Sequence, residues 1–190
     1  MAQTALVVCD VQYGIISRVA DEASTKPFLD QLATTIKAAR EASVKIIYVT
    51  IAFQPGHPEI GNNAPKMFAQ VKSTQAFVQG DEATQIHESV APQSGDISVI
   101  KHRISAFAGT DLDMILRASE IKHLVFAGIS TGGVVLSSFR YALDLDYDPT
   151  VLQDLCLENE PEVHKVLCEK VFPAHGTVMS SQAWIEGLKK

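Results

Sequence analysis

A chain of 190 residues that is 46% hydrophobic and 20% charged can bury a substantial core, which argues against a disordered polymer. Its net charge of −6 sets it against nucleic acid or an anionic bilayer as a partner. No apolar run approaches the ~18 residues that span a membrane, and the N-terminal stretch has no basic segment and meets Asp10 too early for a signal peptide. Cys9, Cys156 and Cys168 are odd in number and lack metal-like spacing, so free thiols in a cytoplasmic protein are expected. The length fits one domain over residues 1–190.

In chain order, Ala5–Cys9 is an apolar run ending at Asp10, a buried strand with a carboxylate at its C-terminal end. Residues 27–42 carry Phe28, Leu29, Leu32, Ala33, Ile36 and Ala39 at helical spacing, with Pro27 suited to a first turn. Val44–Ala52 reads as a second strand. Residues 53–80 lose periodicity and carry Pro55, Gly56, Pro58, Gly61 and Pro65, a long loop with one short helix near 65–72. Loops of that length form lids, binding loops or subunit contacts, and a homo-oligomer is expected. Ile97–Lys101 is a third strand closed by a lysine. Thr110 can cap a helix that has Asp111 and Asp113 in its first turn.

Leu124–Ala127 is a fourth strand that breaks at Gly128. Ser130 and Thr131 then offer N-cap hydroxyls to a helix running through Val135, Phe139 and Leu143. Gly132 and Gly133 lack a Cβ and leave room for a ligand or another backbone. Thr150–Gln153 and Thr177–Met179 read as further strands, Pro161 opens a helix, and 181–188 closes the chain with another. The alternation predicts an α/β fold with a parallel sheet covered by helices on both faces. Ligands bind beyond strand C-termini in such sheets, where Asp10, Lys101 and the Gly128–Gly133 turn all fall.

Residues 7–12 (Val-Val-Cys-Asp-Val-Gln), 101–107 (Lys-His-Arg-Ile-Ser-Ala-Phe) and 127–134 (Ala-Gly-Ile-Ser-Thr-Gly-Gly-Val) resemble the motifs of the isochorismatase-like cysteine hydrolases. That family includes nicotinamidases, N-carbamoylsarcosine amidases and isochorismatases, and the resemblance runs to about residue 173. It implies a three-layer Rossmann-like fold of about six parallel strands in order 3-2-1-4-5-6. It implies Asp10 as general acid/base and Lys101 as its partner. It implies a cis peptide at Ile129–Ser130 that aims the N–H groups of Ser130 and residue 134 as an oxyanion hole. The family's nucleophilic Cys falls at position 134, where this chain has Val134, which has no lone pair with which to attack a carbonyl. Isochorismatases do without that thiol. In the reaction the resemblance implies, an Asp protonates a vinyl ether, water adds to the oxocarbenium ion, and the hemiketal collapses.

Gln12 and Phe107, close to Asp10 and Lys101 in sequence, are expected either to face the substrate or to pack beneath it; Ile129, Thr131 and Gly133 are expected to line the pocket. Arg103 either binds a substrate carboxylate or makes a surface ion pair. Cys156 follows the fifth strand, with His164 eight residues on, a candidate relocated nucleophile or a plain buried hydrophobe. His57 stands alone and is expected in solvent; no metal and no cofactor are expected. Two readings follow. One is a hydrolase of a small molecule acting through Asp10 and Lys101 without a cysteine. The other is a non-catalytic small-molecule binding or scaffold protein on the same fold.

Overall fold

The structure is a computed structural model that describes residues 3–19 and 22–189; residues 1, 2 and 190, the outer bounds of the expected domain, lie outside the described residues. Six strands, β1 (Gln3–Cys9), β2 (Lys45–Ile51), β3 (Ile97–Lys101), β4 (Ile121–Ile129), β5 (Asp148–Leu157) and β6 (Thr177–Met179), form one sheet in the order β3-β2-β1-β4-β5-β6. Every neighbouring pair is parallel. The helices are α1 (Tyr13–Val19), α2 (Glu22–Glu41), α3 (Lys66–Ser73), α4 (Leu112–Ala118), α5 (Leu136–Asp144), α6 (Pro161–Val166) and α7 (Ser181–Leu188).

The central strands are apolar on both sides because both sides are covered. On β1, Ala5, Val7 and Cys9 pack into one core with Leu112 and Leu116 of α4 and with Phe139 and Ala142 of α5. Leu6 and Val8 point the other way, into a core with Leu32 and Ile36 of α2 and with Trp184 and Ile185 of α7. Each fully buried Leu, Ile or Phe contributes roughly 1.5–3 kcal/mol relative to exposure, so these two cores fix the register that carries the ends of β1 and β4 to one edge.

Several boundaries differ from the sequence pattern. Helix α1 has no counterpart in it. Helix α2 begins at Glu22, so Pro27 lies inside the helix rather than in its first turn. Strands β4 and β5 extend beyond their expected bounds, back through Lys122 and His123 in one case and on through Asp154 to Leu157 in the other. Asp154 is polar for a reason: its carboxylate accepts from the Ser181 N–H (2.7 Å) and hydroxyl (2.6 Å) and so anchors the start of α7. Residues 53–80 form a lobe with its own small core of Phe53, Ile60, Phe68 and Phe77, tied by Phe53 N–H to Phe77 O (2.8 Å) and Gln79 N–H to Phe53 O (2.8 Å). Among the described residues, no helix is long and apolar enough to cross a membrane.

Candidate active site

The C-terminal edge of β1 turns at Asp10, whose φ of 54° is the left-handed conformation that Asp tolerates better than most residues. Its N–H is held by Val49 O (2.8 Å), and its carboxylate points to where β3 ends. Strands β1 and β3 are not neighbours; β2 lies between them, with Ile51 beside Lys101 in register. The long Lys101 side chain reaches across that intervening strand, and its Nζ lies 2.9 Å from Asp10 Oδ2 and donates to Arg103 O at 3.2 Å. Both residues are buried, Asp10 at 5% exposure and Lys101 at 2%.

Burial pushes the Asp10 carboxyl above its ordinary pKa, and the Lys101 ammonium pulls against that shift without cancelling it. Asp10 Oδ1 is buried with no hydrogen-bond partner. The nearby Ile51 N–H is engaged by Gln12 Oε1 at 2.9 Å. A carboxyl with one oxygen on an ammonium, the other unpartnered and a pKa raised by burial has the features of a proton-transfer group.

The third component is the turn between β4 and α5. Gly128, at φ 136°, packs so closely on the Cys9 backbone that a Cβ would collide with it, so β1 and β4 meet without a side chain between them. The Ile129–Ser130 peptide is cis. Ser130 caps the wide turn Thr131–Val135, its Oγ accepting from Gly133 N–H at 3.1 Å. Val134 then faces a cavity of about 360 Å³ that Asp10, Lys101, Ile129, Ser130 and Gly133 also line. The three sequence motifs therefore converge on one cleft.

Three residues expected to line that cleft are used elsewhere. Gln12 is fully buried; its amide grips Ile51 N, Ile51 O (2.9 Å) and Thr84 O (2.8 Å), tying the segment after β1 to β2 and to the turn at residues 82–84. Phe107 stacks on Tyr141 (5.5 Å between centroids) inside the core. The Thr131 hydroxyl donates to Leu157 O (3.2 Å) and lies 2.9 Å from His164 Nδ1. Cys156, paired in register with Gly128, does not line the cleft, and burial drives its thiol pKa far up. His57 is not in solvent: it is fully buried, stacked on Phe53, with Nε2 2.8 Å from Ala76 O. Among the described residues, no three His, Cys, Asp or Glu side chains are grouped so as to hold a metal ion.

Two charged residues absent from the sequence reading line the cleft. Arg18 comes from α1, which follows directly on Asp10 and so had to lie at the same sheet edge. Glu158 follows β5, and the rule that picks out strand C-termini would have found it. Its Oε2 accepts from Gly132 N–H at 2.7 Å, so the space left by that glycine is filled by a carboxylate rather than a ligand; a Cβ there would sit 2.9 Å from the same oxygen.

Residues 4–183 match the isochorismatase domain family. The chain belongs to that family. Ureidoacrylate amidohydrolase RutB of Klebsiella pneumoniae is 34% identical over 170 residues, 80% of this chain and 72% of that protein. N-carbamoylsarcosine amidase of Thermoplasma acidophilum superposes with a TM-score of 0.77 at 26% identity, over 94% of this chain and 96% of that one. An isochorismatase family protein of Burkholderia thailandensis superposes with a TM-score of 0.84 at 25% identity, over 100% of this chain and 97% of that one. The six-stranded parallel sheet is thus the isochorismatase-like fold, and the chain is a hydrolase of this family.

Proposed function

We propose that the protein hydrolyses a small molecule with Asp10 as the proton-transfer group, Lys101 as the partner that holds its charge, and water in place of a protein thiol. The observation that carries this reading is the buried Asp10 carboxyl of the cleft lining, one oxygen on Lys101 and the other, Oδ1, without a hydrogen-bond partner. Burial favours the protonated form of Asp10, so the carboxyl is suited to give a proton to a substrate atom, and the resulting carboxylate is then stabilised by the ammonium. Water adds to the cation so formed, and Asp10 recovers its proton as the adduct collapses. The N–H groups of Ser130 and Val134 are the groups we assign to a developing oxyanion.

The named relatives include an amidohydrolase and an amidase. Amide cleavage by a covalent route would need a nucleophile at position 134, and the Val134 side chain supplies none. That same residue favours a second reading, binding without turnover. The test is to incubate the full chain with small amides, ureides and vinyl ethers and to follow products by mass spectrometry, with Asp10→Asn as the control. Turnover lost in Asp10→Asn is the expected outcome. Turnover unaffected by it refutes the assignment, and binding of a panel member without turnover favours the second reading.

A further inference from the structure

We propose that the cleft takes a substrate with a carboxylate at one end, held between Arg18 and Arg103. The two guanidinium groups line the same cavity as Asp10 and Val134. Among the described residues neither has an acidic partner: the ion pairs there belong to Lys26, Lys37, Arg40, Lys101 and Arg117. In a chain with 22 acidic and 16 basic residues, two such arginines on one cavity are an imbalance that an anion would correct.

Both groups are also held in place. Arg18 lies over the Phe77 ring at 4.6 Å and Arg103 over the Phe68 ring at 5.1 Å. Arg103 further donates to His102 O (2.6 Å) and Glu59 O (3.0 Å). Stacking fixes the plane of a guanidinium and leaves its remaining edge N–H groups free for a carboxylate. Phe68 and Phe77 are core residues of the lobe formed by residues 53–80, so the lobe's own packing sets the two cations.

The opposite wall differs in sign. Glu158 and Asn159 stand beyond β5, while Arg103 stands beyond β3, with β1 and Asp10 between them in the sheet order. A ligand aligned on this polarity puts its carboxylate at the arginines, its reacting group over Asp10 and an N–H or O–H donor toward Glu158. The walls between are Ile15, Ile51, Ile104 and Ile129, which suit a short hydrocarbon link. With Asp10 and Glu158 already present, one negative charge on the ligand is accommodated better than two. Only the position of the reacting group rests on the hydrolase reading; the anion site does not.

The experiment is isothermal titration of the full chain with two acid–amide pairs, 3-ureidopropionate against 3-ureidopropionamide and 4-acetamidobutyrate against its primary amide. At least one acid is expected to bind about ten-fold or more tighter than its neutral partner. Arg18→Gln and Arg103→Gln should each reduce that preference, and the double variant should erase it. Both arginines are exposed, so the fold should survive, and melting curves of the single variants check this. Equal binding of acid and amide in both pairs, no binding of any of the four, or a preference that survives the double variant would overturn the proposal. Turnover is read separately. An acid that binds through the arginines but is never hydrolysed counts against the hydrolase reading alone, whereas hydrolysis of the neutral amides as efficient as that of the acids counts against the anion site alone.

Discussion

Two buried corners of this protein hold groups of catalytic type, and they have opposite fates. At one, Asp10 and Lys101 sit 2.9 Å apart and open on the cleft. At the other, Cys168 Sγ lies 3.7 Å from His164 Nε2, near Cys156, behind the β4 turn and away from the cavity. Burial raises the pKa of the acid in both. For a carboxyl, that shift favours the protonated form, which the proposed proton transfer requires. For a thiol, it moves away from neutrality and removes the thiolate: Cys168 is pushed up to about 11, and Cys156 further. The same desolvation makes one corner a site and the other core.

The strongest way to break this comparison is Asp10→Asn. It leaves the Lys101 ammonium buried and unpaired, and removing one partner of a buried pair typically costs about 3–5 kcal/mol. It also removes the proton donor, so any hydrolysis Asp10 supports should fall by about 10²–10⁴-fold. Urea unfolding and steady-state rates measure the two effects. A stability loss under about 1 kcal/mol would mean that the pair is not buried as described.

Lys101→Met should cost less, because the carboxyl left behind can take a proton. The sign follows from its raised pKa. Folding favours the protonated form, so the contribution of Asp10 to stability is present at low pH and lost as pH rises through its folded-state pKa. Removing the ammonium, which lowers that pKa, raises it further. The variant should therefore be closer to wild type in stability at about pH 5 than at about pH 8. An equal deficit at both values, measured by denaturant titration, would show that Asp10 does not protonate to compensate.

Val134→Cys sharpens the contrast by placing a thiol in the first corner. Cys is slightly smaller than Val, so packing should change little. On the same cavity as Lys101, the new thiol should react with iodoacetamide near neutral pH while the buried Cys9, Cys156 and Cys168 stay unlabelled. Lys101→Met in the same background should slow it. Peptide mapping that finds the label on a native cysteine and not at position 134 would overturn the assignment of the cleft.

The fold and the centre of the candidate site were legible in the sequence because they rest on local signals. Apolar runs gave the strands, and Asp10, Lys101 and the Gly128–Val134 turn each close one. The failures have a different cause. Gln12 and Phe107 sit near site residues in sequence, but both lie past the ends of β1 and β3, where strand alternation no longer fixes a side chain's direction; one enters a backbone clamp and the other the core. Arg18 and Glu158 were missed because the helix that carries Arg18 and the true end of β5 were not read from the sequence; with those two boundaries, both fall at the C-terminal edge of the sheet. The lobe at 53–80 looked like a loop because its four aromatic and aliphatic core residues are spread over 25 positions with no period.

The smallest expected effect is the most discriminating one for the second corner. Cys156→Ala removes one buried sulfur from a position that pairs with Gly128 and faces the core, so a stability loss of about 1 kcal/mol is expected, in line with a modest cavity. Because the thiol is strongly disfavoured as a thiolate and does not reach the cleft, rates on any substrate should stay within about two-fold of wild type. His164 does not change this expectation: its Nδ1 faces the Thr131 hydroxyl, and the sulfur beside it is Cys168 rather than Cys156. Amidase activity abolished by Cys156→Ala, with the melting temperature preserved, would show that the nucleophile had moved to β5 and that desolvation does not sort the two corners as argued.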